Sequence, residues 1–318
     1  MPDMQPGSAV RGGARRVVVL MGGRSAEREV SLNTGAQVLD ALEKTGHTVV
    51  TVDAGDADFI AQLLAAAPDS VFICLHGRYG EDGTVQGLLE LLDMRYVGSG
   101  VLASALAMDK VMSKHFFAQA GLLSPAYVAL RAGEEADIET ITRELGSKTV
   151  VKPANEGSAI GVTIAHDPSE LPAAIDEAFR HDESILVEQF VSGVEVTVGV
   201  LGNEDLEVLP TLEIVPEHEF YDYDSKYVPG MSRHIIPARI SEFARDECQR
   251  LSLEAHRALG CRGMSRSDTI VAGDGAIYLL ETNTIPGMTA TSLLPDAARA
   301  AGIEFPELCR RLVDLSLE

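Results

Sequence analysis

Residues 263–283 read GMSRSDTIVAGDGAIYLLETN. Two strand-like runs flank Ala272-Gly273-Asp274-Gly275, whose Asp-Gly pair is a turn signal, so the stretch predicts a β-hairpin. On a strand, side chains two apart share a face. Glu281 and Asn283 then project together just before a break at Pro286-Gly287, and Arg266 and Asp268 project together from the first strand. Two carboxylates and a carboxamide are hard oxygen ligands suited to Mg2+, and a nearby guanidinium can stabilise a transferring phosphoryl group. Polar strand ends and a surface salt bridge would account for the same residues, so the decision rests on the rest of the chain.

Upstream of the hairpin, 193–200 alternates Val with Glu195, Thr197 and Gly199, and 206–215 reads as another strand. Between them and the hairpin lie a polar, Tyr-rich segment at 216–240, expected to be a functional loop, and a helix over 241–259. Helices near 292–302 and 305–316 close the chain. Residues 109–190 predict a small α+β unit, with a helix at 110–120, strands at 126–130, 148–153, 160–165 and 184–190, and helices near 134–145 and 169–181. The opening is different: strands at 17–20, 48–52 and 71–75 alternate with helical patterns after Val30, over 60–67 and after Val85. That βαβαβα order implies a parallel sheet covered on both faces. The expected division is an extension at 1–15, an N-terminal α/β unit at 16–108, a central unit at 109–190 and a C-terminal unit at 191–318.

The chain's 318 residues carry a formal net charge of -22, which disfavours nucleic acid and anionic membranes as partners. A polyphosphate would have to be held by a few placed cations. None of the four cysteines forms a Cys-x-x-Cys pair, and a reducing cytoplasm fits. No run of 18 apolar residues predicts a membrane span, and the Gly/Pro-rich first fifteen residues read as a disordered extension.

Four further stretches carry chemistry. In VVKPANEGSAIGV, 150–162, a strand delivers Lys152 into a loop with Gly157, Ser158 and Gly161, whose backbone N–H groups can cradle phosphate. It is not a P-loop, since the Lys precedes the glycines. In ILVEQFVSGVEVTV, 185–198, an apolar strand ending at Glu188, then Phe190 and Val191, then Glu195, offers an apolar slot and acceptors for an adenosine. MGGRSAEREVSL, 21–32, places a Gly-Gly turn after the first strand, a usual ligand position, with Glu27 able to hold an ammonium group. It lacks Gly-x-Gly-x-x-Gly, so a nicotinamide site is weakly supported. CLHGRYGEDGTVQG, 74–87, sets His76 at the end of the third strand.

These stretches, with YVGSGVLASALAMDK at 96–110, EFYDYDSKY at 219–227 and LLETNTIPGMTATSLLP at 279–295, occur in the order seen in the D-alanine–D-alanine ligases of the ATP-grasp superfamily, which the chain resembles from about Val17 onward. The resemblance implies an α/β and α+β architecture: an ATP-grasp fold preceded by an N-terminal parallel-sheet domain. It implies ATP as co-substrate, two Mg2+ ions (or Mn2+), D-alanine as substrate, and a cytoplasmic homodimer. By motif, Asp268, Glu281 and Asn283 resemble the metal ligands, and Lys110 and Lys152 the phosphate-binding lysines. Glu188, Phe190, Val191 and Glu195 match the adenosine segment, Glu188 accepting from the adenine amine. Glu27 would anchor the first substrate's ammonium, with His76 nearby. Phe220 and Lys226 belong to the ATP-binding set on the 216–240 loop, where Tyr227 would join Ser158 and Glu27 in a hydrogen-bonded triad. Arg266 and the Gly287 N–H resemble oxyanion stabilisers. Ser292 and Leu293 would bind the second substrate's carboxylate at a helix start. Two residues depart from the pattern. Gln189 stands where many relatives have Lys, and Ser267 where an apolar residue is usual, the latter bearing on packing more than on chemistry.

The alternatives are a D-alanine–D-lactate or other dipeptide ligase, and a non-catalytic ATP-binding regulatory protein. The Lys226-Tyr227 pair favours dipeptide formation, and the co-occurrence of Asp268, Glu281, Asn283 and Arg266 favours a catalyst.

Overall fold

The computed structural model describes residues 13–216 and 232–318. Strand β1 (Arg16–Met21) is the centre of a three-stranded parallel sheet, between β2 (Thr48–Asp53) and β3 (Ser70–Ile73). Its residues are apolar on both sides because both faces are covered. Val17 and Val19 pack with Val38, Ala41 and Leu42 of α1 (Arg28–Lys44). Val18 and Leu20 pack with Leu63 of α2 (Phe59–Ala66) and with Val85 and Leu89 of α3 (Thr84–Leu91). The third strand stops at Ile73, two residues short of the predicted end.

Residues 101–108 form a helix that the sequence reading did not anticipate, α4 (Val101–Met108). Asp109 ends it and caps the next, α5 (Lys110–Gln119), by accepting from the N–H groups of Val111 and Met112 at 3.0 Å each. A four-stranded antiparallel sheet follows, ordered β4 (Tyr127–Arg131), β7 (Ser184–Gln189), β5 (Thr149–Pro153), β6 (Thr163–Ala165). Helices α6 (Ile138–Leu145) and α7 (Leu171–Ala178) cover it through Ile141, Leu145, Leu171 and Ile175. The start of α6 falls at 138, later than expected, because Asp137 caps it at the Thr140 N–H.

The largest sheet is antiparallel and runs β11 (Ser232–Ile235), β10 (Leu212–Pro216), β8 (Gly193–Gly202), β12 (Gly263–Ala272), β13 (Ile277–Asn283), with β9 (Glu207–Val208) beside β8. Two expectations are corrected here. The single strand at 206–215 is two, β9 and β10, separated by a stretch containing Pro210, which has no N–H for a ladder. The segment 216–240, expected as loop, contains β11, which pairs with β10. Helix α8 (Glu242–Leu259) covers one face of the sheet through Cys248, Leu251 and Ala255 against Val196, Val198 and Leu279.

The C-terminal helices, α9 (Leu293–Ala300) and α10 (Phe305–Leu315), turn back toward the start of the chain. Leu308, Leu312 and Val313 join Val17, Val38 and Leu42 in one core, which also takes in Leu201, Met264 and Leu294. Ser70 and Ser316 seal this junction with a buried hydroxyl pair at 2.6 Å.

Candidate active site

The predicted hairpin is β12–β13, and its pairing contains a feature invisible in strand alternation. From Val271↔Ile277 to Thr269↔Leu279 the register is regular; it then shifts, so that Asp268 faces Glu281 and Arg266 faces Asn283. The extra residue is Leu280, which has no partner, as in a β-bulge. Directly opposed residues of an antiparallel pair lie on the same face. Without the bulge Asp268 would oppose Leu280, and Glu281 would share Ser267's face, away from the cleft. The bulge therefore gathers all four polar residues on one side. On the other side the Ser267 hydroxyl meets that of Thr282 at 2.8 Å, both fully buried. This settles how the polar Ser267 fits: it has a polar partner in the core.

Arg266 and Asp268 are less than a tenth exposed and form a two-pronged ion pair, Nε donating to Oδ1 at 2.9 Å and Nη2 to Oδ2 at 2.7 Å. Thr197 of β8 also donates to Asp268 Oδ1, at 2.5 Å. The Asn283 side-chain oxygen accepts from the Ile285 N–H at 2.8 Å, which fixes its amide orientation. Asp268 Oδ1 thus accepts from two donors, whereas Asp268 Oδ2 and the Asn283 oxygen each accept from one and keep a second lone pair.

Across from the hairpin stands β5. Lys152 Nζ lies 2.9 Å from Glu188 Oε2, and a second lysine, Lys114, lies 2.9 Å from Oε1. Burial alone would push the Glu188 carboxyl up; the two ammonium groups outweigh it and hold it below the usual carboxylate range. Lys114 is pushed down, chiefly by burial and then by Lys152, against the pull of Glu188. Lys110 Nζ donates to the Glu156 carbonyl at 2.7 Å, bracing the glycine-bearing loop from its base. In that loop Ser158 has a left-handed backbone, φ 50°, and its hydroxyl donates to the Glu27 carboxylate. Gly77 also borders that carboxylate: a Cβ there would sit 2.6 Å from Glu27 Oε2 and displace it, and the backbone φ of +68° itself favours glycine. His76 is wedged between Thr34 at 3.3 Å and Glu81 at 3.2 Å.

The ring of Phe190 is covered by Lys148, whose Nζ lies 3.8 Å from the ring centre. Ser292 is the N-cap residue of α9, yet its hydroxyl bonds Thr289 at 2.7 Å and caps no helical N–H. A Cβ on Gly287 would come within 3.0 Å of that same hydroxyl.

Sixteen residues assigned to the site from the sequence line one cleft of about 290 Å³: Glu27, His76, Lys110, Lys152, Ser158, Glu188, Phe190, Val191, Glu195, Arg266, Asp268, Glu281, Asn283, Gly287, Ser292 and Leu293; Gly157 of the glycine-bearing loop joins them and Gly161 does not. Phe220, Lys226 and Tyr227 lie outside the described residues. The few placed cations expected to hold a polyphosphate are present, but they stand among a larger number of carboxylates. Among the described lining residues Glu27, Glu81, Glu156, Glu188, Glu195, Asp268 and Glu281 outnumber Lys110, Lys152 and Arg266. Glu81, Glu156 and Lys114 were missed by sequence reasoning. Glu81 and Glu156 stood in quoted motifs, and Lys114 stands one helical turn after Lys110.

Comparison with known proteins gives a consistent answer. Residues 116–314 match the family model "D-ala D-ala ligase C-terminus" and residues 56–99 the model "D-ala D-ala ligase N-terminus". A D-alanine–D-alanine ligase of Pelotomaculum thermopropionicum is 50% identical over 309 residues, covering 95% of this chain and 97% of its own. That of Halalkalibacterium halodurans is 49% identical over 312 residues, covering 95% and 99%. The crystal structure of the Bacillus anthracis enzyme complexed with ATP superposes with a TM-score of 0.84 at 33% identity, covering 96% of this chain and 98% of that one. With its ordered motifs, its three sheets and the cleft between them, the chain belongs to the D-alanine–D-alanine ligase family.

Proposed function

We propose that the chain joins two molecules of D-alanine into D-alanyl-D-alanine, with ATP converted to ADP and phosphate, as a cytoplasmic step in making a peptidoglycan precursor. The observation that carries this reading is the bulged hairpin. It turns Asp268, Glu281 and Asn283 toward the same cleft as Lys110 and Lys152, in a chain of this family.

In the first half-reaction a carboxylate oxygen of one D-alanine attacks the γ-phosphorus of ATP, and the bond to the bridging oxygen of ADP breaks. The carboxylate becomes an acyl phosphate, which turns a poor leaving oxygen into a good one. In the second, the amine of the other D-alanine attacks that carbonyl carbon and gives up a proton, and the bond from that carbon to the phosphate oxygen breaks as phosphate departs with its electron pair. Glu27 would hold the first ammonium, its carboxylate oriented by Ser158 and Gly77. Arg266 and the Gly287 N–H would meet the oxyanion as it develops. The second substrate's carboxylate would sit at the start of α9, where Ser292 leaves N–H groups uncapped by its side chain. Glu188, Phe190, Val191 and Glu195 would take the adenosine and Lys110 and Lys152 the phosphates; by the resemblance Phe220 and Lys226 join the ATP-binding set, and Tyr227 joins Ser158 and Glu27.

The donor set fits Mg2+. Asp268, Glu281 and Asn283 are hard oxygen ligands on one face, and a polyphosphate entering a cleft richer in carboxylates than in cations needs counter-charge. Among the described residues no three His, Cys, Asp or Glu side chains cluster as a metal site; the proposed set is two carboxylates and a carboxamide. When bound, the ions would supply Lewis-acid neutralisation of the triphosphate.

No helix among the described residues is long and apolar enough to cross a membrane. The homodimer belongs to the same reading: the exposed Leu91 and Leu102 of the N-terminal unit are side chains such an interface would cover, and sedimentation velocity checks it.

Mass spectrometry of the products from ATP, Mg2+ and a panel of D-amino acids tests the proposal. D-Alanyl-D-alanine is the expected dominant product. Dominant use of D-lactate as second substrate near neutral pH, or ATP binding with no ligated product, would overturn it.

A further inference from the structure

Lysine is seldom fully buried, and Lys114 is 2% exposed. It does not line the cleft. It stands behind Glu188, one turn along α5 from Lys110, so the two ammonium groups leave the same helix face toward different targets. Tyr127, which pairs with Glu188 across β4–β7, closes the other side, its ring centre 5.5 Å from the Lys114 Nζ.

A buried carboxylate needs one cation to balance it, and Glu188 has two. The two are not equivalent. The Lys114 side chain is 1% exposed, whereas that of Lys152 is 10% exposed and lies on the cleft wall. A nucleotide can therefore recruit Lys152 but cannot reach Lys114. If Lys152 turned to a phosphate with no Lys114 behind it, Glu188 would be left charged, buried and alone, which is strongly unfavourable. It would then retain Lys152 or take up a proton, and a protonated carboxyl is a poorer acceptor for an amine.

We propose that Lys114 is a positioning residue for nucleotide binding: the permanent counter-ion that keeps Glu188 an oriented acceptor while Lys152 moves from Glu188 to the phosphates. The proposal rests on the assignment of Glu188 and Lys152 to ATP made above.

Steady-state kinetics of phosphate release, with D-alanine and either ATP or GTP, test it. Lys114→Met is expected to raise KM for ATP by about tenfold to hundredfold, the low end of what a close buried charge pair is worth, and to weaken the preference for ATP over GTP. KM for D-alanine should stay within about twofold, which a general loosening of the fold would not spare. Because Lys114 acts through Glu188, adding Lys114→Met to Glu188→Gln should change KM for ATP by less than about threefold. Lys114→Met with an unchanged KM for ATP, an equal rise in both substrates' KM, or additive effects in the double variant would each overturn the proposal. Where Lys114→Met alone does not fold, the comparison of Glu188→Gln with the double variant, which loses one charge of each sign, decides. A silent Glu188→Gln would instead overturn the adenine assignment itself; an effect of Glu188→Gln without one of Lys114→Met overturns only the role of Lys114.

Discussion

Replacing Arg266 by methionine separates what this residue does for the fold from what it does for the reaction. Its guanidinium makes two hydrogen bonds to Asp268, of 2.9 and 2.7 Å, in a site where both residues are less than a tenth exposed. Methionine fills much of the volume but leaves Asp268 with only the Thr197 hydroxyl as a side-chain partner among the described residues. Orphaning a buried carboxylate typically costs about 3–5 kcal/mol, and Thr197 together with access to the cleft argues for the lower end. The catalytic loss is separate: removing one donor to a developing oxyanion costs about 10²–10³ in kcat, or roughly 2.7–4 kcal/mol. Stability is read by urea denaturation, and chemistry by single-turnover dipeptide formation with saturating ATP and D-alanine. Added Mg2+ with a non-hydrolysable ATP analogue should return part of the stability, because a cation at Asp268 replaces the lost one, while kcat stays low. A kcat within about threefold of the parent, with product still formed, would refute the placement of Arg266 at the reacting carbon.

Other outcomes follow from particular contacts. Burial, then Arg257, pushes the His256 imidazole down to about 4 from 6.5, against the Cys261 backbone hydrogen bond. The unfolded chain then takes up a proton near 6.5 that the folded chain refuses until about 4, so stability is full above pH 6.5, falls on acidification through that window by on the order of 3 kcal/mol, and falls no further below it. His256→Gln should flatten this slope in urea titrations at pH 7.5 and 4.5, about a unit outside and within the window. Gly199→Ala would place a Cβ 2.4 Å from Leu294 Cδ1 and 2.9 Å from Leu209 Cδ1. Overpacking of this kind costs about 1–3 kcal/mol, and because Leu294 sits in the first turn of α9, KM for D-alanine should rise more than KM for ATP. Chelation by EDTA should abolish ADP release, and Mg2+ should restore it, with the far-ultraviolet circular dichroism unchanged throughout. Lys152→Met should raise KM for ATP by about tenfold or more while leaving the melting transition in place, since Lys114 still balances Glu188.

Strand patterns and turn signals made the three sheets legible, because period-two alternation and Gly/Pro punctuation report directly on which face is covered. The same alternation placed Glu281 with Asn283 and Arg266 with Asp268, since each pair lies within one strand. It could not place one pair against the other, because that depends on the unpaired Leu280, and no residue type announces such a bulge. Helix α4 was missed because VLASALAM is almost uniformly apolar and small, and shows no amphipathic period. The break between β9 and β10 was readable from Pro210 and was overlooked. Lys114 was illegible for a different reason: a lysine in a helix reads as solvent-facing, and only the tertiary position of Glu188 turns it inward.

The last helix has a consequence for how the polypeptide is made. One face of the first sheet is packed by α1, and that layer shares its core with Leu308, Leu312 and Val313 of α10. A ribosome that has delivered the opening βα units has yet to deliver the segment that shields them. Until Leu308, Leu312 and Val313 emerge, the nascent chain presents a greasy seam around Leu42, which chaperones or the unfinished chain itself must cover. Deleting residues from 305 onward should therefore send the product to inclusion bodies, although every cleft-lining side chain lies upstream of the cut.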